Sequence, residues 1–397
     1  MDFEKRFTPE QEAEREAFRP RVRTWIEENS QGVGAPPDAA DLTYEQFTRN
    51  REFLRALGQR GWYAPEWPKE YGGGGLPRWL GDVIFEELLA SIPNVENVHP
   101  PGDIGAAVAG VIWKLGTEEQ KRRFLPPILR GEVVVWELYT EPEAGSDLPS
   151  LKTRAERQGD VFVLNGAKTF VGGHFEADYL FCLAITDPNA PRRANLSVFL
   201  VPFGLPGITI QSLDMIAGSA KRTIFFEDVR VPASQLVARE GDGWTAFVTH
   251  GDMRVGIGAG IDRDERALAQ LLEYCKTRLD NGRPLSSYPH VQEALTQIYM
   301  EYQVQRLLRL RNEWMAATQR AFTYEPSQVF LGRKLFDARL GAAMHRAMGP
   351  VAAVKAPPWA AFGGTLEYFH RYALLMLHPG GTVEIQKLRM FRGMVGT

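Results

Sequence analysis

Cysteine is nearly absent from this chain: Cys182 and Cys275 are the only two among 397 residues. They stand in apolar and amphipathic surroundings without metal-ligand spacing. That speaks against a disulfide framework and reads as a pair of buried free thiols in a reducing compartment. Six of the seven histidines, His174, His250, His290, His345, His370 and His378, show no metal-ligand spacing and read as structural. No apolar run approaches a bilayer span, and Met1-Asp-Phe-Glu-Lys-Arg6 carries no apolar leader segment. A cytoplasmic protein without a membrane partner is the expectation. A large excess of either charge is lacking too, with 46 Lys and Arg against 49 Asp and Glu. A net charge of −3 gives no electrostatic case for nucleic acid or an anionic surface. No Gly-x-Gly-x-x-Gly follows a strand, which argues against a Rossmann nucleotide site. Internal repeats and low-complexity tracts are absent as well.

What the chain does have is length enough for a large core in two or three domains, and three stretches of different pattern. Residues 1–130 read as helical. Thr8-Pro9-Glu10-Gln11 pairs an N-cap with Pro at the first helical position, and Phe18, Val22 and Trp25 then share a face. Tyr71 to Gly75 breaks the pattern, and a helix resumes from Trp79 to Leu89. Thr117 and Gln120 have the spacing of a capping box. From 131 to 237 the runs become short and β-rich: Tyr179–Ile185, Leu196–Val201, Ile208–Ile210 and Thr223–Pro232. Intervening Pro and Gly suit an antiparallel barrel or sandwich. From 238 to 397 helices return. Val291, Leu295, Ile298 and Tyr302 repeat at bundle spacing, a further helix runs through Met348, and breaks at Pro350, Pro357-Pro358 and Gly363-Gly364 precede the final one.

The chemistry-bearing stretch begins at Trp136-Glu-Leu-Tyr-Thr-Glu-Pro-Glu-Ala-Gly-Ser-Asp147, continues at Lys152-Thr153 and ends at Asn165-Gly-Ala-Lys-Thr-Phe-Val-Gly172. The β-branched run at Val133–Val135 ends at Pro142, since Pro cannot continue a ladder. Gly145-Ser146-Asp147 forms a turn with backbone N–H groups and a hydroxyl. Val161 to Lys168 reads as strand, tight turn, strand, with Asn165-Gly166 as the turn. Strand ends of this kind can clamp a flat heteroaromatic ring along its polar edge.

This spacing resembles the acyl-CoA dehydrogenase family, whose flavin-clamping segment reads Thr-Glu-Pro-x-Ala-Gly-Ser-Asp, then Lys-Thr, then Asn-Gly-x-Lys. The resemblance covers essentially the whole chain. It implies an α+β multidomain fold: an N-terminal helical domain, a central antiparallel β-barrel and a C-terminal four-helix-type bundle, over 1–130, 131–237 and 238–397. It also implies FAD as cofactor, an acyl-CoA thioester as substrate and α,β-dehydrogenation as the reaction. Residues matching cofactor-binding positions are Tyr139, Thr140, Ser146, Phe170, Val171, Gly172, Arg278, Gly349, Thr382 and Glu384. Those matching substrate positions are Ser146, Arg254 and Gly381. Arg222 matches a β-domain residue. Where relatives carry Trp-Ile/Thr-Thr, this chain has Phe170-Val171-Gly172, so an aromatic face is retained and a hydroxyl near flavin N5 is lost. Asn281 stands where a Phe is usual, a variant shared by a large bacterial branch.

The reaction needs a polarised thioester carbonyl and a base for a weakly acidic α-proton. The family places that base as a Glu immediately before Gly-Thr. Here the stretch is Pro379-Gly380-Gly381-Thr382-Val383-Glu384-Ile385-Gln386, and the base position is Gly380. Some relatives use a Glu preceding an Arg on the first helix of the last domain, and that position is Met253, before Arg254. Both seats lack a carboxylate. Asp252 is the candidate substitute, with Glu384 behind it, although adjacent helix positions point about 100° apart. The branch with Gly-Gly-Thr and Asn-Gly-Arg-Pro-Leu includes heteromeric dehydrogenases of steroid side chains. The expectation is therefore a dimer or tetramer, homo- or heteromeric, with a second acyl-CoA dehydrogenase-like subunit bringing the base and electron-transfer flavoprotein as a candidate electron acceptor. The alternatives are a homo-oligomer with a relocated base or another flavin reaction such as a monooxygenase, and a non-catalytic scaffold subunit.

Overall fold

The computed structural model describes residues 7–36, 38, 41–95, 98, 104–217, 221–255, 261–356 and 358–396, without the side chains of 104, 252–255, 261–263 and 317. The chain falls into two compact units, one drawn from Pro9–Met215 and Ala220–Ile257, the other from Met1–Thr8, Ile216–Ser219 and Gly258–Thr397.

The first unit opens with helices. In α1 (Pro9–Asn29) Val22, Trp25 and Ile26 are buried, while Arg15, Arg19 and Arg23 on another stripe pair with Glu86 and Glu87 of a later helix. α2 (Tyr44–Gln59) starts at a capping box of Thr43 and Gln46; α3 (Arg78–Ser91) carries the two glutamates. α4 (Ile104–Leu115) packs on α5 (Glu118–Leu129), whose Thr117–Gln120 capping box forms as the sequence predicts.

Next come β1 (Val135–Leu138), β2 (Arg154–Gln158), β3 (Val161–Gly172), β4 (Tyr179–Ile185), β5 (Leu196–Pro202), β6 (Ile208–Leu213), β7 (Lys221–Pro232) and β8 (Leu236–Val237), then α6 (Gly243–Val255). The sheet is not closed into the expected barrel. Its ladders follow the open path β6-β7-β3-β2-β4-β5-β8, with β1 beside β4. Most pairs are antiparallel, but β1–β4 and β2–β4 are parallel. β2 and β4 share one register pair, Arg154 with Ile185, so the two halves of the sheet diverge almost as soon as they meet. α6 lies against α4, β4 and β5.

Asn165-Gly166 is not a turn. β3 runs straight through it, and the hairpin turn is Gly159-Asp160, with Gly159 at φ +64°. The Asn165 side chain instead accepts from Asp228 N (2.9 Å) and donates to Asp228 Oδ1 (3.0 Å) at a bulge in β7. Gly166 sits at φ +146°, where a Cβ would run into Thr153, so close strand approach explains this glycine.

The second unit is helical: α7 (Ile261–Thr277), the short hairpin β9 (Leu279–Asp280) and β10 (Arg283–Pro284), α8 (Pro289–Ala317), α9 (Glu325–Met348), α10 (Thr365–Leu375) and α11 (Val383–Val395). α9 packs against α7, α8, α10 and α11. Its Phe336, Leu340, Ala343 and Met344 meet the Val291–Tyr302 stripe of α8 in one core. The single closing helix expected from the sequence is two, α10 and α11, separated by Pro379-Gly380-Gly381, whose glycines take φ +71° and +88°. No helix among the described residues is long and apolar enough to cross a membrane.

Candidate active site

In the first unit the motif pieces converge on one buried ion pair. Lys168, on β3, is fully buried, and its Nζ lies 2.8 Å from Glu141 Oε1 and donates to Tyr139 O at 3.1 Å. The same carboxylate accepts from Thr153 N (3.0 Å) and Lys152 N (2.6 Å). Thr-Glu-Pro, Lys-Thr and the lysine after Asn-Gly are thus three arms of one contact. Burial alone would raise the Glu141 pKa. The Lys168 charge, with the hydrogen bonds from Lys168, Thr153 and Lys152, holds it below the ordinary carboxylate value instead. The pair fixes the backbone at Tyr139, and Thr140 O accepts from Thr169 N at 2.8 Å, which ties β1's exit to β3.

Immediately beyond, β3 bulges. From Lys168 to Val171 it advances three residues while β7 advances two, from Ile224 to Arg222. The extra residue leaves Phe170 at φ +57° and 56% exposed. An aromatic residue held in the left-handed region is strained by about 1–3 kcal/mol, a feature that clusters at ligand sites. Val171 is buried in the sheet core, so only its backbone faces outward. Gly172 is half-buried and opposes Lys221 on β7. Arg222, one residue on, lies over Trp136 at 4.8 Å and donates to Gly173 O; burial lowers its pKa. The sequence matched Arg222 to a family residue, and here it braces the sheet. Tyr139 is half-buried, its ring edge-on to Phe181, Phe247 and His250. His250 of α6, read as structural, is buried with Nε2 2.8 Å from Glu137 Oε1. Ser146 is exposed in its turn. The two cysteines are free and buried, and burial pushes both thiols up to about 11.

In the second unit Arg278 is exposed just after α7, ahead of the β9–β10 hairpin. Asn281 and Gly282 form that hairpin's turn at φ +49° and +76°, the geometry for which Asn-Gly is preferred. Asn281 in place of Phe thus has a structural cause. Gly349 ends α9 at φ +60°. Thr382 caps α11, its hydroxyl accepting from Ile385 N at 3.3 Å, and Glu384 is exposed in the first turn. The segment ahead of that cap is pinned twice. Buried Gln386 donates to Gly380 O at 2.7 Å. Lys334 of α9, 4% exposed, donates to Met376 O (2.7 Å) and Pro379 O (2.6 Å). Burial, with Arg333 adding to it against Asp337, pushes Lys334 down to about 8. Gly381 adjoins the Gln386 and Ile385 side chains.

The first base seat is open. Among the described residues a Cβ on Gly380 would meet only Phe330, at 3.9 Å, so they leave room for a side chain, but there is no carboxylate at that residue. The second seat lies on α6; the side chains of Asp252, Met253 and Arg254 are outside the described residues. Sequence reasoning missed Glu141, Lys168 and Lys334. The first two lay inside the quoted motif, and the signal was a lysine two and four residues beyond Gly166 and Leu164 on one strand face.

Comparison with known proteins agrees along the chain. The N-terminal, middle and C-terminal domain models of acyl-CoA dehydrogenase match residues 12–132, 137–229 and 241–395. "Acyl-CoA dehydrogenase FadE26" of Mycobacterium tuberculosis is 31% identical, covering 85% of each chain. "Probable acyl-CoA dehydrogenase YngJ" of Bacillus subtilis is 30% identical over 99% of each. Among solved structures, the ChsE4-ChsE5 complex from Mycobacterium tuberculosis superposes with a TM-score of 0.80 at 26% identity over 98% of each chain. The Tcur3481-Tcur3483 steroid ACAD gives 0.81 at 27%, covering 100% of this chain and 99% of that one. The chain belongs to the acyl-CoA dehydrogenase family. It has that family's fold, helical, sheet and helical in order, and is an oxidoreductase of that class.

Proposed function

We propose that this chain is one subunit of a heteromeric, FAD-dependent acyl-CoA dehydrogenase, and that its partner supplies the catalytic base. The observation that carries the reading is Gly380. The segment around it is held by Lys334 and Gln386 and the family's sheet motif is assembled, yet the residue at the base seat has no side chain. Both superposed structures are two-component by name, and one is called a steroid ACAD. A bulky, steroid-like acyl chain is the proposed substrate class, with electron-transfer flavoprotein as acceptor. The three domains are proposed at 1–130, 131–237 and 238–397.

The residues present fit a flavin. The exposed, strained Phe170 offers a ring face, and Gly172 beside it has no side chain of its own, with the Lys221 ammonium 3.0 Å from where a Cβ would lie. The proposed contacts are Tyr139, Thr140, Ser146 and the backbone of Phe170–Gly172 in the first unit. Gly349, Thr382 and Glu384 are the proposed contacts in the second, with Arg278 reaching the pyrophosphate of FAD bound in a neighbouring subunit, where a guanidinium's paired donors suit phosphate. Ser146, Gly381 and Arg254 are proposed on the thioester side. A bound flavin would supply the acceptor for the hydride leaving the β-carbon. The chain's own work is to hold the ring, orient the thioester and exclude water.

Co-expression with a second acyl-CoA dehydrogenase-like protein tests this. The expected result is a yellow, stoichiometric complex that dehydrogenates acyl-CoA, while this chain alone turns over very slowly. Rapid turnover by the isolated chain would overturn the partner requirement, and a colourless complex that takes up no FAD would overturn the flavin assignment.

A further inference from the structure

Gly172 and Lys221 face each other across the β3–β7 ladder. A Cβ on Gly172 would lie 3.0 Å from the Lys221 Nζ, so the ammonium occupies the space into which a side chain at 172 would grow. The neighbouring pair, Val171 with Arg222, points to the other face: Val171 is in the sheet core and Arg222 lies over buried Trp136. Strand alternation then puts Gly172 and Lys221 together on the outer face, just past the bulge that exposes Phe170. Gly172 is not at positive φ, so no backbone requirement demands glycine there. Its missing side chain and the cation in that space are one local arrangement.

We propose that Lys221 supplies the polar contact that Gly172 cannot make, so that the edge of the bound flavin beside Phe170–Gly172 meets an ammonium donor carried by β7. This rests on the flavin placement above and adds a positioning and electrostatic residue to it. A fixed positive charge at hydrogen-bond distance favours the ring carrying more negative charge, and so favours the reduced cofactor over the oxidised one. The contact is charge-assisted, where a hydroxyl would be neutral, and it comes from the strand opposite.

The test is the midpoint potential and absorption spectrum of the flavin in the assembled protein, for wild type, Lys221→Met, Lys221→Arg and the double variant Gly172→Thr with Lys221→Met. Lys221→Met is expected to shift the two-electron equilibrium toward the oxidised form about tenfold, or about 30 mV lower in midpoint. Lys221→Arg should retain most of the wild-type value, and Gly172→Thr should recover part of the loss by returning a hydroxyl to the vacated space. FAD bound with unchanged potential and spectrum in Lys221→Met would overturn the role of Lys221 while leaving the flavin site standing. Failure of the wild-type assembly to hold FAD would instead remove the site itself, and this inference with it.

Discussion

Lys168 and Glu141 form an ion pair at 2.8 Å with side chains 0% and 6% exposed, and the carboxylate also receives two backbone N–H groups from Lys152 and Thr153. Removing one member of such a pair leaves an uncompensated buried charge, which costs about 3–5 kcal/mol. Lys168→Met should therefore destabilise the protein by that order in denaturant unfolding, and pairing it with Glu141→Gln should recover part of the loss. Equal stability of wild type and Lys168→Met would show that the pair does not hold the motif together.

The same pair sets an acid limit. The Glu141 pKa lies below its ordinary value of 4.5, so the carboxylate's contribution is fully present above that value and is lost as pH falls through the depressed folded value. In Lys168→Met this acid-dependent loss should shrink, and turn into a gain once the folded pKa exceeds 4.5, because burial then acts on Glu141 without the opposing charge. Unfolding midpoints measured from pH 3 upward would check this. Parallel wild-type and variant curves would count against it.

Lys334 titrates with the opposite consequence. Its pKa is about 8 in the folded protein against 10.5 ordinarily, so between those values the unfolded chain holds more protons and stability rises with pH. A neutral amine keeps two N–H groups, enough for the carbonyls of Met376 and Pro379. The stability difference between wild type and Lys334→Met should therefore grow by up to about 1.4 kcal/mol per pH unit across that window. A flat difference would mean that Lys334 stays protonated throughout.

Much of this was legible in the residues. Thr117–Gln120 and the Val291–Tyr302 stripe announced themselves because caps and bundle faces depend on local spacing alone. Tyr179–Ile185 was bounded at its observed ends for the same reason. Asn165-Gly166 misled because Asn-Gly serves a two-residue turn and a bulged strand alike, and only the approach of Thr153 decides between them. Reading a turn there also broke the alternation that carries Phe162 and Leu164 inward to Lys168, and so hid the ion pair. Whether the sheet closes depends on whether its end strands β6 and β8 pair, a long-range relation that no local pattern encodes. Lys334 acts across about forty residues of chain, on backbone carbonyls that any sequence would offer.

Arg278 is the residue through which a neighbouring subunit is proposed to reach the FAD phosphates. It is exposed beside a hairpin turn that fixes the end of α7. Arg278→Ala should lower FAD occupancy by the loss of a charge-assisted contact worth about 1.5–3 kcal/mol. Flavin content by absorbance after gel filtration measures it. Unchanged content in a correctly assembled variant would move the phosphate site elsewhere.

The missing base gives the sharpest experiment. Without general-base help the α-proton step loses about 10²–10⁴ in rate, and this chain alone should be that poor on straight-chain acyl-CoAs. Returning a carboxylate should restore activity if flavin and thioester sit as in relatives. At Gly380 the described residues leave space, since among them a Cβ there would meet only Phe330, but the backbone is at φ +71°, where a side chain costs about 1–2 kcal/mol. The loop would have to carry that strain without shifting the carbonyls that Lys334 and Gln386 hold. Met253 lies within α6, and Met and Glu have similar length and helix preference. Met253→Glu should therefore give the larger gain in kcat, with Gly380→Glu smaller and accompanied by lower thermal stability. If instead the unmodified chain turns over quickly and loses that rate on Asp252→Asn, the base is Asp252 and no partner need bring one.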